Sequence, residues 1–183
     1  MVNADAVPDA EDLDAIDDYI DHLTPGGILS MTRYLDFDEV LRLANTMVVR
    51  MQQHGLSDAA SRLVVIAEKQ KSYHRATILL KNGIFTEEEV ATIKALRETN
   101  HSTIVHAPYT DPSEFDPAGP AHNVRLVINL PLMGEERDAL LSTYSADISP
   151  TTDDRPYFFF TSHLQDVFNP PAAQHAARRL AMP

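Results

Sequence analysis

Apolar residues recur at steps of three and four along several stretches of the chain, which is the spacing of an amphipathic helix. The first such stretch predicts a helix that begins near Pro8 and ends at the Pro25-Gly26-Gly27 turn. Its apolar positions, which acids separate, are Leu13, Ile16, Ile20 and Leu23. A helix with one apolar face is expected to pack on a core through that face.

Three short apolar runs predict buried strands, at residues 28–32, 63–67 and 76–80. A second amphipathic helix lies between the first two runs, with Asp36 placed to cap its start and Gly55 placed to end it. Too few residues separate the second run from the third for a crossover helix. These two strands are therefore expected to run antiparallel.

A turn and the start of a third helix follow the last of these runs. Asn82-Gly83 is a turn sequence, and Thr86 with Glu89 forms the capping-box pattern that opens a helix. The residues predicted to face inward from this helix are Val90, Ile93 and Leu96. With a short strand at 103–105, helices and strands alternate, which favours an α/β domain over residues 9–106.

The chain changes character after residue 106, because ten of its twelve prolines lie from Pro108 onward. Residues 107–121 read as a loop. Two elements are expected further on, an apolar stretch that fits a helix or a strand and then a short helix, at residues 123–130 and 135–144. We assign residues 107–168 to a proline-rich segment that packs on the α/β domain, and residues 169–183 to a flexible tail.

The charge balance narrows the classes of partner. The chain has 15 basic and 27 acidic side chains, and its net charge of -12 argues against general nucleic-acid binding, which needs a basic face. Eight of the acids lie in the first 21 residues, where there is no base. We interpret this acidic run as a solvated helix face, with a surface for a cationic partner as the alternative.

Composition and hydropathy exclude further classes. The chain is 44% hydrophobic, as in ordinary globular proteins, and it has no cysteine for disulfides, thiolate metal sites or nucleophiles. No uncharged apolar run approaches the roughly 18 residues that cross a bilayer. The first residues also lack the pattern of a signal peptide. We therefore expect a cytoplasmic chain with no membrane contact of its own.

Residue patterns for catalysis or cofactor binding are scarce. None of the six glycines forms a G-x-G or a P-loop, and Ser30 lacks the G-x-S-x-G context of a hydrolase nucleophile. His101 and His106 are not spaced as metal ligands, and His74 is expected in a solvent-facing loop between two strands. The sequence therefore assigns no catalytic, cofactor-binding or metal-binding residue.

The polar cluster that most suggests a functional site is Asp153-Asp154-Arg155, which precedes an aromatic run at residues 157–160. The two carboxylates could hold a cation or act as acid and base. Alternatively, Asp153 caps a turn while Asp154 pairs with Arg155 to anchor the aromatic run on the core. The flanking prolines favour the structural role, and the aromatic run is expected to dock on the core rather than to form a ligand pocket.

Three segments together resemble one enzyme family. Residues 19–33 read Y-I-D-H-L-T-P-G-G-I-L-S-M-T-R, residues 76–89 contain A-T-I-L-L-K and F-T-E-E-E, and residues 147–159 read D-I-S-P-T-T-D-D-R-P-Y-F-F. A helix that ends in L-x-P-G-G and leads into an apolar strand is similar to the fourth helix and fifth strand of class I S-adenosylmethionine-dependent methyltransferases. The other two segments resemble, more specifically, the bacterial spermidine synthase-like domains that are fused to membrane segments.

The resemblance covers roughly residues 11 to 161 and implies only part of that fold. In the family, the glycine-rich cofactor loop and the aspartates of aminopropyl transfer precede the P-G-G turn, and only about 24 residues precede it here. The chain therefore resembles the C-terminal half of such a domain, and no catalytic or cofactor residue carries over. At most, residues after the first strand, from Thr32 to Leu35, would border the cofactor crevice.

The resemblance and the patterns together predict a three-layer α/β fold, a partial Rossmann-like sheet with an antiparallel last strand and helices on both faces. The parent protein would be an aminopropyl- or methyltransferase that uses S-adenosylmethionine or its decarboxylated form, and this chain alone would be inactive. The alternatives are a non-catalytic module that self-associates or regulates another subunit, and an independent small-molecule-binding domain. A homo-oligomer or the missing N-terminal half is the expected partner, and the resemblance suggests membrane segments beside the parent's soluble domain.

Overall fold

The computed structural model describes most of the chain from residue 12 to residue 151. The described ranges are 12–34, 38–69, 74–100, 102–111, 114, 120–130 and 134–151. Within them lie six helices and four strands. In chain order they are α1 (Asp12–His22), β1 (Ile28–Tyr34), α2 (Glu39–Gln53), α3 (Ala59–Arg62), β2 (Leu63–Lys69), β3 (His74–Lys81), α4 (Glu87–Asn100), β4 (Ser102–His106), α5 (Pro120–Asn129) and α6 (Glu135–Thr143).

The four strands form one sheet in the order β1-β3-β2-β4, and every neighbouring pair is antiparallel. The predicted antiparallel pairing of β2 with β3 is confirmed. Because β1 and β2 both oppose β3, they run in the same direction, and α2 connects them across β3. In the same way α4 connects β3 to β4 across β2. One antiparallel strand was expected, and among β1, β2 and β3 this strand is β3, which opposes the other two. However, β4 is also antiparallel to its neighbour β2, so no two adjacent strands are parallel.

Helices lie on both faces of the sheet, as expected for three layers. Along β2, Val65 belongs to the larger buried cluster, on the side of α1, α2 and α5, whereas Val64 belongs to a smaller cluster with Phe85 and with Val90 of α4. Successive residues of a strand point to opposite faces, so the two clusters are separated by the sheet itself. We call these two sides the α2 face and the α4 face.

The acidic first helix packs on the α2 face. Ile16 and Ile20 are buried, as the periodicity predicts, and Asp17 binds α2 and the residue after it, with 3.2 Å to Arg50 Nη1 and 3.1 Å to His54 Nε2. Both contacts are partly exposed, and such surface pairs contribute modestly to stability. Part of the acidic run therefore has a structural role in holding α1 against α2.

Several predicted element ends can be compared directly with the structure. The capping box is confirmed, because the Thr86 backbone N–H donates to Glu89 Oε2 at 2.7 Å and the Glu89 N–H donates to Thr86 Oγ1 at 3.2 Å. The residue at the N-cap position of α2 is Asp38, so helix periodicity placed the start of α2 too early. Asp36 itself lies outside the described residues.

Other predictions need correction. Leu96 was expected to face inward but is 56% exposed, because the cluster that α4 covers extends only as far as Ile93. The short helix α3 was not predicted, and His74 begins β3 opposite Lys69 rather than lying in a loop. The ambiguous stretch at 123–130 is helical in α5.

The segment after residue 106 adds to the main core. Val124, Val127 and Ile128 of α5 are buried with α2, and Leu140 and Leu141 of α6 pack against the same cluster, as predicted. No helix in the described part of the chain is both long enough and apolar enough to cross a membrane.

Candidate functional site

The end of β1 is the part of the chain that the resemblance places beside a cofactor crevice. Thr32 is exposed there, and its hydroxyl lies 2.9 Å from that of Thr77 on β3. The guanidinium of Arg33 donates to the Thr32 carbonyl at 2.8 Å. Leu35 lies outside the described residues. The described groups at this end of β1 thus bind one another within the sheet.

The residue that precedes α2 is held in an uncommon conformation. Asp38 has φ 60°, in the left-handed region, and makes no side-chain capping bond to its helix. Its carboxylate instead accepts a 2.7 Å hydrogen bond from the phenol of Tyr144, the residue that follows α6. This contact joins the start of α2 to the end of α6.

A buried polar junction continues this connection along α2; we call it the α2–α6 junction. Asn45 donates to the carbonyl of Ile148 at 2.7 Å, and Arg42 Nε donates to the carbonyl of Ser149 at 3.1 Å. The backbone N–H of Thr151 donates to Thr46 Oγ1 at 3.4 Å. Side chains of one helix therefore bind three backbone groups of a single segment, which satisfies polar groups that would otherwise be buried at a cost.

Arg137 of α6 completes the α2–α6 junction. It is 2% exposed, and its Nη1 donates to the Val127 carbonyl at 2.7 Å and to the Leu130 carbonyl at 3.3 Å, while its Nη2 donates to Asn45 Oδ1. Burial lowers the pKa of this guanidinium from its usual value. Its planar fork of donors suits three acceptors that lie in different directions. The junction therefore holds α2, α5 and α6 in fixed relative positions.

A second buried polar group lies at the end of β4. His106 is 4% exposed, with Nε2 2.8 Å from the Ala60 carbonyl and Nδ1 3.5 Å from the side-chain nitrogen of Asn129. Desolvation lowers the pKa of His106, and the positive charge of Arg125 lowers it further. The two contacts fit a neutral tautomer whose Nε2–H donates to the Ala60 carbonyl while Nδ1 accepts from the side-chain nitrogen of Asn129. The ring links β4 to α3 and α5.

The P-G-G turn and the Asn82-Gly83 turn meet at the other end of β1, in an arrangement that we call the clasp. The Gly26 N–H donates to the Asn82 carbonyl at 2.6 Å, the Asn82 N–H donates to the Gly27 carbonyl at 2.9 Å, and Asn82 Nδ2 donates to the Leu23 carbonyl at 2.6 Å. Gly26 has φ +79°, and a Cβ on Gly27 would lie 2.9 Å from the Thr24 carbonyl oxygen. Both positions therefore require glycine.

Lys81 and Glu89 form a pair next to the clasp. The Lys81 ammonium lies 2.6 Å from both carboxylate oxygens of Glu89 and 5.5 Å from the centre of the Phe85 ring. The hydrogen bond from Lys81 lowers the pKa of Glu89, and the bond from the Thr86 backbone adds to this effect. The pair ties the end of β3 to the first turn of α4.

None of these arrangements brings a nucleophile to a general base, and within the described ranges no group of three or more histidine, cysteine or acidic residues could hold a metal ion. Ser30 is exposed on β1. The remaining sequence candidates lie outside the described residues: His101, Asp153, Asp154, Arg155 and the aromatic run at 157–160. The polar groups that the structure does bring together position helices, turns and strand ends.

Sequence reasoning missed the α2–α6 junction and His106. Arg42 and Asn45 lie beside the apolar stripe of α2, and the polar partners of these two side chains are about a hundred residues away in the chain, at separations of 107 and 103. Only the structure shows that 11 of the 15 residues of α2 are buried, which leaves no exposed polar face along its first three turns. Comparisons with protein-family models, with curated proteins and with solved structures find no match to the chain.

Proposed function

We propose that this chain is the C-terminal half of a spermidine synthase-like transferase domain and is catalytically silent by itself. The observation that carries the proposal is the arrangement of β1, α2, β2 and β3. Two strands that run in the same direction are joined by a helix, and the next strand returns antiparallel between them. The resemblance implies this order of elements, with an antiparallel strand closing the pair.

The outer edge of β1 supports the same proposal. In the described part of the chain β1 pairs only with β3, and its residues on the α4 face are exposed, including Ile28 at 49%. β1 spans seven residues without proline and with Arg33 as its one charge. Among the described residues of this strand, a single charge is therefore the one feature that opposes further pairing. We assign this edge to the strands of the cofactor-binding half.

The chemistry of the parent domain would need little from this half. A nucleophile attacks the carbon next to a sulfonium, and such a reaction depends on positioning more than on acid–base groups. In our proposal the clasp and the α2–α6 junction supply a rigid scaffold for the crevice. S-adenosylmethionine or its decarboxylated form would bind to the other half, in a cytoplasmic domain beside the membrane segments of the parent protein.

Calorimetry tests the proposal. Titration of the chain with S-adenosylmethionine, and separately with the decarboxylated form, is expected to give no heat above that of dilution. Micromolar affinity for either ligand would refute the idea that this half is silent. The upstream coding sequence gives an independent test, because a strand followed by G-x-G-x-G and a helix is expected there.

The same edge favours a second candidate, a non-catalytic module that self-associates through β1. Light scattering at low concentration tests this candidate, because self-association predicts a mass above that of one chain. Ile28→Lys places a charge at the edge and should reduce the mass, whereas Leu96→Lys, on the exposed side of α4, serves as the matched control. A monomer at all concentrations would exclude this candidate.

A further inference from the structure

The clasp contains a chemically labile pair, Asn82 followed by Gly83. An asparagine side chain is open to attack by the next backbone nitrogen, and glycine there has no Cβ to obstruct the approach. Asn82 and Gly83 are half-buried, and the Gly83 N–H has no hydrogen-bond partner in the part of the chain that the structure describes. A Cβ built on Gly83 would have no heavy atom nearer than 3.7 Å, so the space beside the Gly83 Cα is open.

The clasp itself opposes the attack. The side-chain amide is held by its 2.6 Å bond to the Leu23 carbonyl, and the Asn82 backbone N–H and carbonyl are both bonded to the P-G-G turn. Rotation of the amide toward the Gly83 nitrogen requires the bond to Leu23 to break. The reaction is therefore limited by how often the clasp opens.

We propose that Asn82 is a site of spontaneous deamidation, which proceeds when the clasp opens and then prevents the clasp from closing. The Gly83 nitrogen gives up its proton and attacks Cγ of Asn82, so that an N–Cγ bond forms, the Cγ–Nδ2 bond breaks and ammonia leaves. Water then opens the resulting cyclic imide at one of its two carbonyls. The products are aspartate or isoaspartate, and no oxidant or reductant takes part.

Either product is incompatible with the observed contacts. Aspartate is ionised at neutral pH and has no hydrogen to donate to the Leu23 carbonyl, so two oxygens would face each other where the 2.6 Å bond now lies. Isoaspartate also lengthens the main chain by one carbon, which displaces the groups that bind Gly26 and Gly27. The start of β1 then loses its attachment to the end of β3. This inference does not depend on the proposed function.

Peptide mapping by mass spectrometry tests the proposal on the full chain, incubated at mildly alkaline pH in native buffer and in denaturant. The Asn82 peptide should gain the mass of an amide-to-acid exchange faster than the Asn129 peptide. Asn129 is a matched control, because its amide also donates to a backbone carbonyl, at 2.7 Å, but leucine follows it. Conversion of Asn82 should be at least about tenfold slower in native buffer than in denaturant, since the clasp must open first.

Two variants test the consequence. Asn82→Asp reproduces the product and should increase hydrogen exchange at the backbone amides of Gly26 and of the substituted residue itself by about tenfold or more. Asn82→Gln keeps an amide that cyclises far less readily, and its peptide should show little conversion under either condition. The proposal is overturned if native Asn82 converts no faster than Asn129, if denaturant does not accelerate the conversion, or if Asn82→Asp leaves exchange unchanged.

Discussion

The two faces of the sheet are covered to different extents by the rest of the chain. On the α2 face, three helices cover the strands, and Ile78 of β3 is completely buried. On the α4 face, a small cluster covers β2 and β4, while Ile28, Ser30 and Thr32 of β1 are exposed. One sheet thus has a complete core on one side and a partial one on the other.

This difference shows which face supplies more of the stability of the fold. Apolar surface removed from water stabilises a fold roughly in proportion to its area, so the α2 face supplies most of the hydrophobic stabilisation. The α4 face near β1 contributes less, because Ile28, Ser30 and Thr32 remain exposed there. A domain whose second face is open at one edge is expected to gain stability when that edge is paired.

The sharpest test of this difference uses two neighbours on β3. Ile78→Ala, on the α2 face, should lower the free energy of unfolding by about 3–4 kcal/mol, because it leaves a cavity in a closed core. Leu79→Ala, on the half-buried α4 face, should cost about 1–2 kcal/mol. Urea denaturation followed by circular dichroism measures both. Equal losses would show that the two faces are equally complete.

Arg137→Met removes the donors of the α2–α6 junction but retains an apolar side chain of similar length. The carbonyls of Val127 and Leu130 and the Asn45 amide oxygen lose their donor, so we expect a loss of about 2–3 kcal/mol in unfolding free energy. Arg137→Lys should recover only part, because one ammonium cannot match a planar fork. A neutral effect of Arg137→Met would mean that apolar packing alone closes the α2 face.

Thr86→Ala tests the cap of α4 on the more open face. The variant removes the hydroxyl that accepts from the Glu89 N–H, and such caps contribute about 1 kcal/mol. Hydrogen exchange should increase in the first turn of α4 and remain unchanged in α2. Thr92→Ala is the matched control, since its hydroxyl binds only the Glu88 carbonyl within the helix. An exchange increase that extends into α2 would indicate that the two faces open together.

The smallest expected effect is the pH dependence that His106 introduces. Its pKa is lowered in the folded chain from a usual value of 6.5, so below about pH 6.5 the unfolded chain binds more protons than the folded one. Stability should therefore fall as the pH decreases from neutral, and His106→Gln should reduce that slope. Denaturation midpoints at several pH values measure it, with the substitution His22→Gln at an exposed position of α1 as the control. Identical slopes in His106→Gln and wild type would contradict the assigned neutral state.

The sequence predicted features whose causes are local. The capping box of Thr86 and Glu89, the antiparallel β2–β3 pair and the inward positions of Ile16 and Ile20 depend on residues a few places apart, and all three are confirmed. Leu96 has the right helical spacing, but burial also requires a neighbouring surface, which periodicity does not describe. The Arg137–Asn45 bond spans 92 residues, so no local pattern could indicate it.

The position of β3 between β1 and β2 has a consequence for the order of folding. Hairpin β2–β3 joins consecutive strands through a short connection, whereas Thr32 of β1 meets Thr77 of β3 across 45 residues. Closing the shorter loop costs less entropy, so the hairpin is expected to form first. A ribosome, however, releases β1 before the strand it must join has been made. During synthesis β1 therefore lacks its β3 partner until β3 emerges.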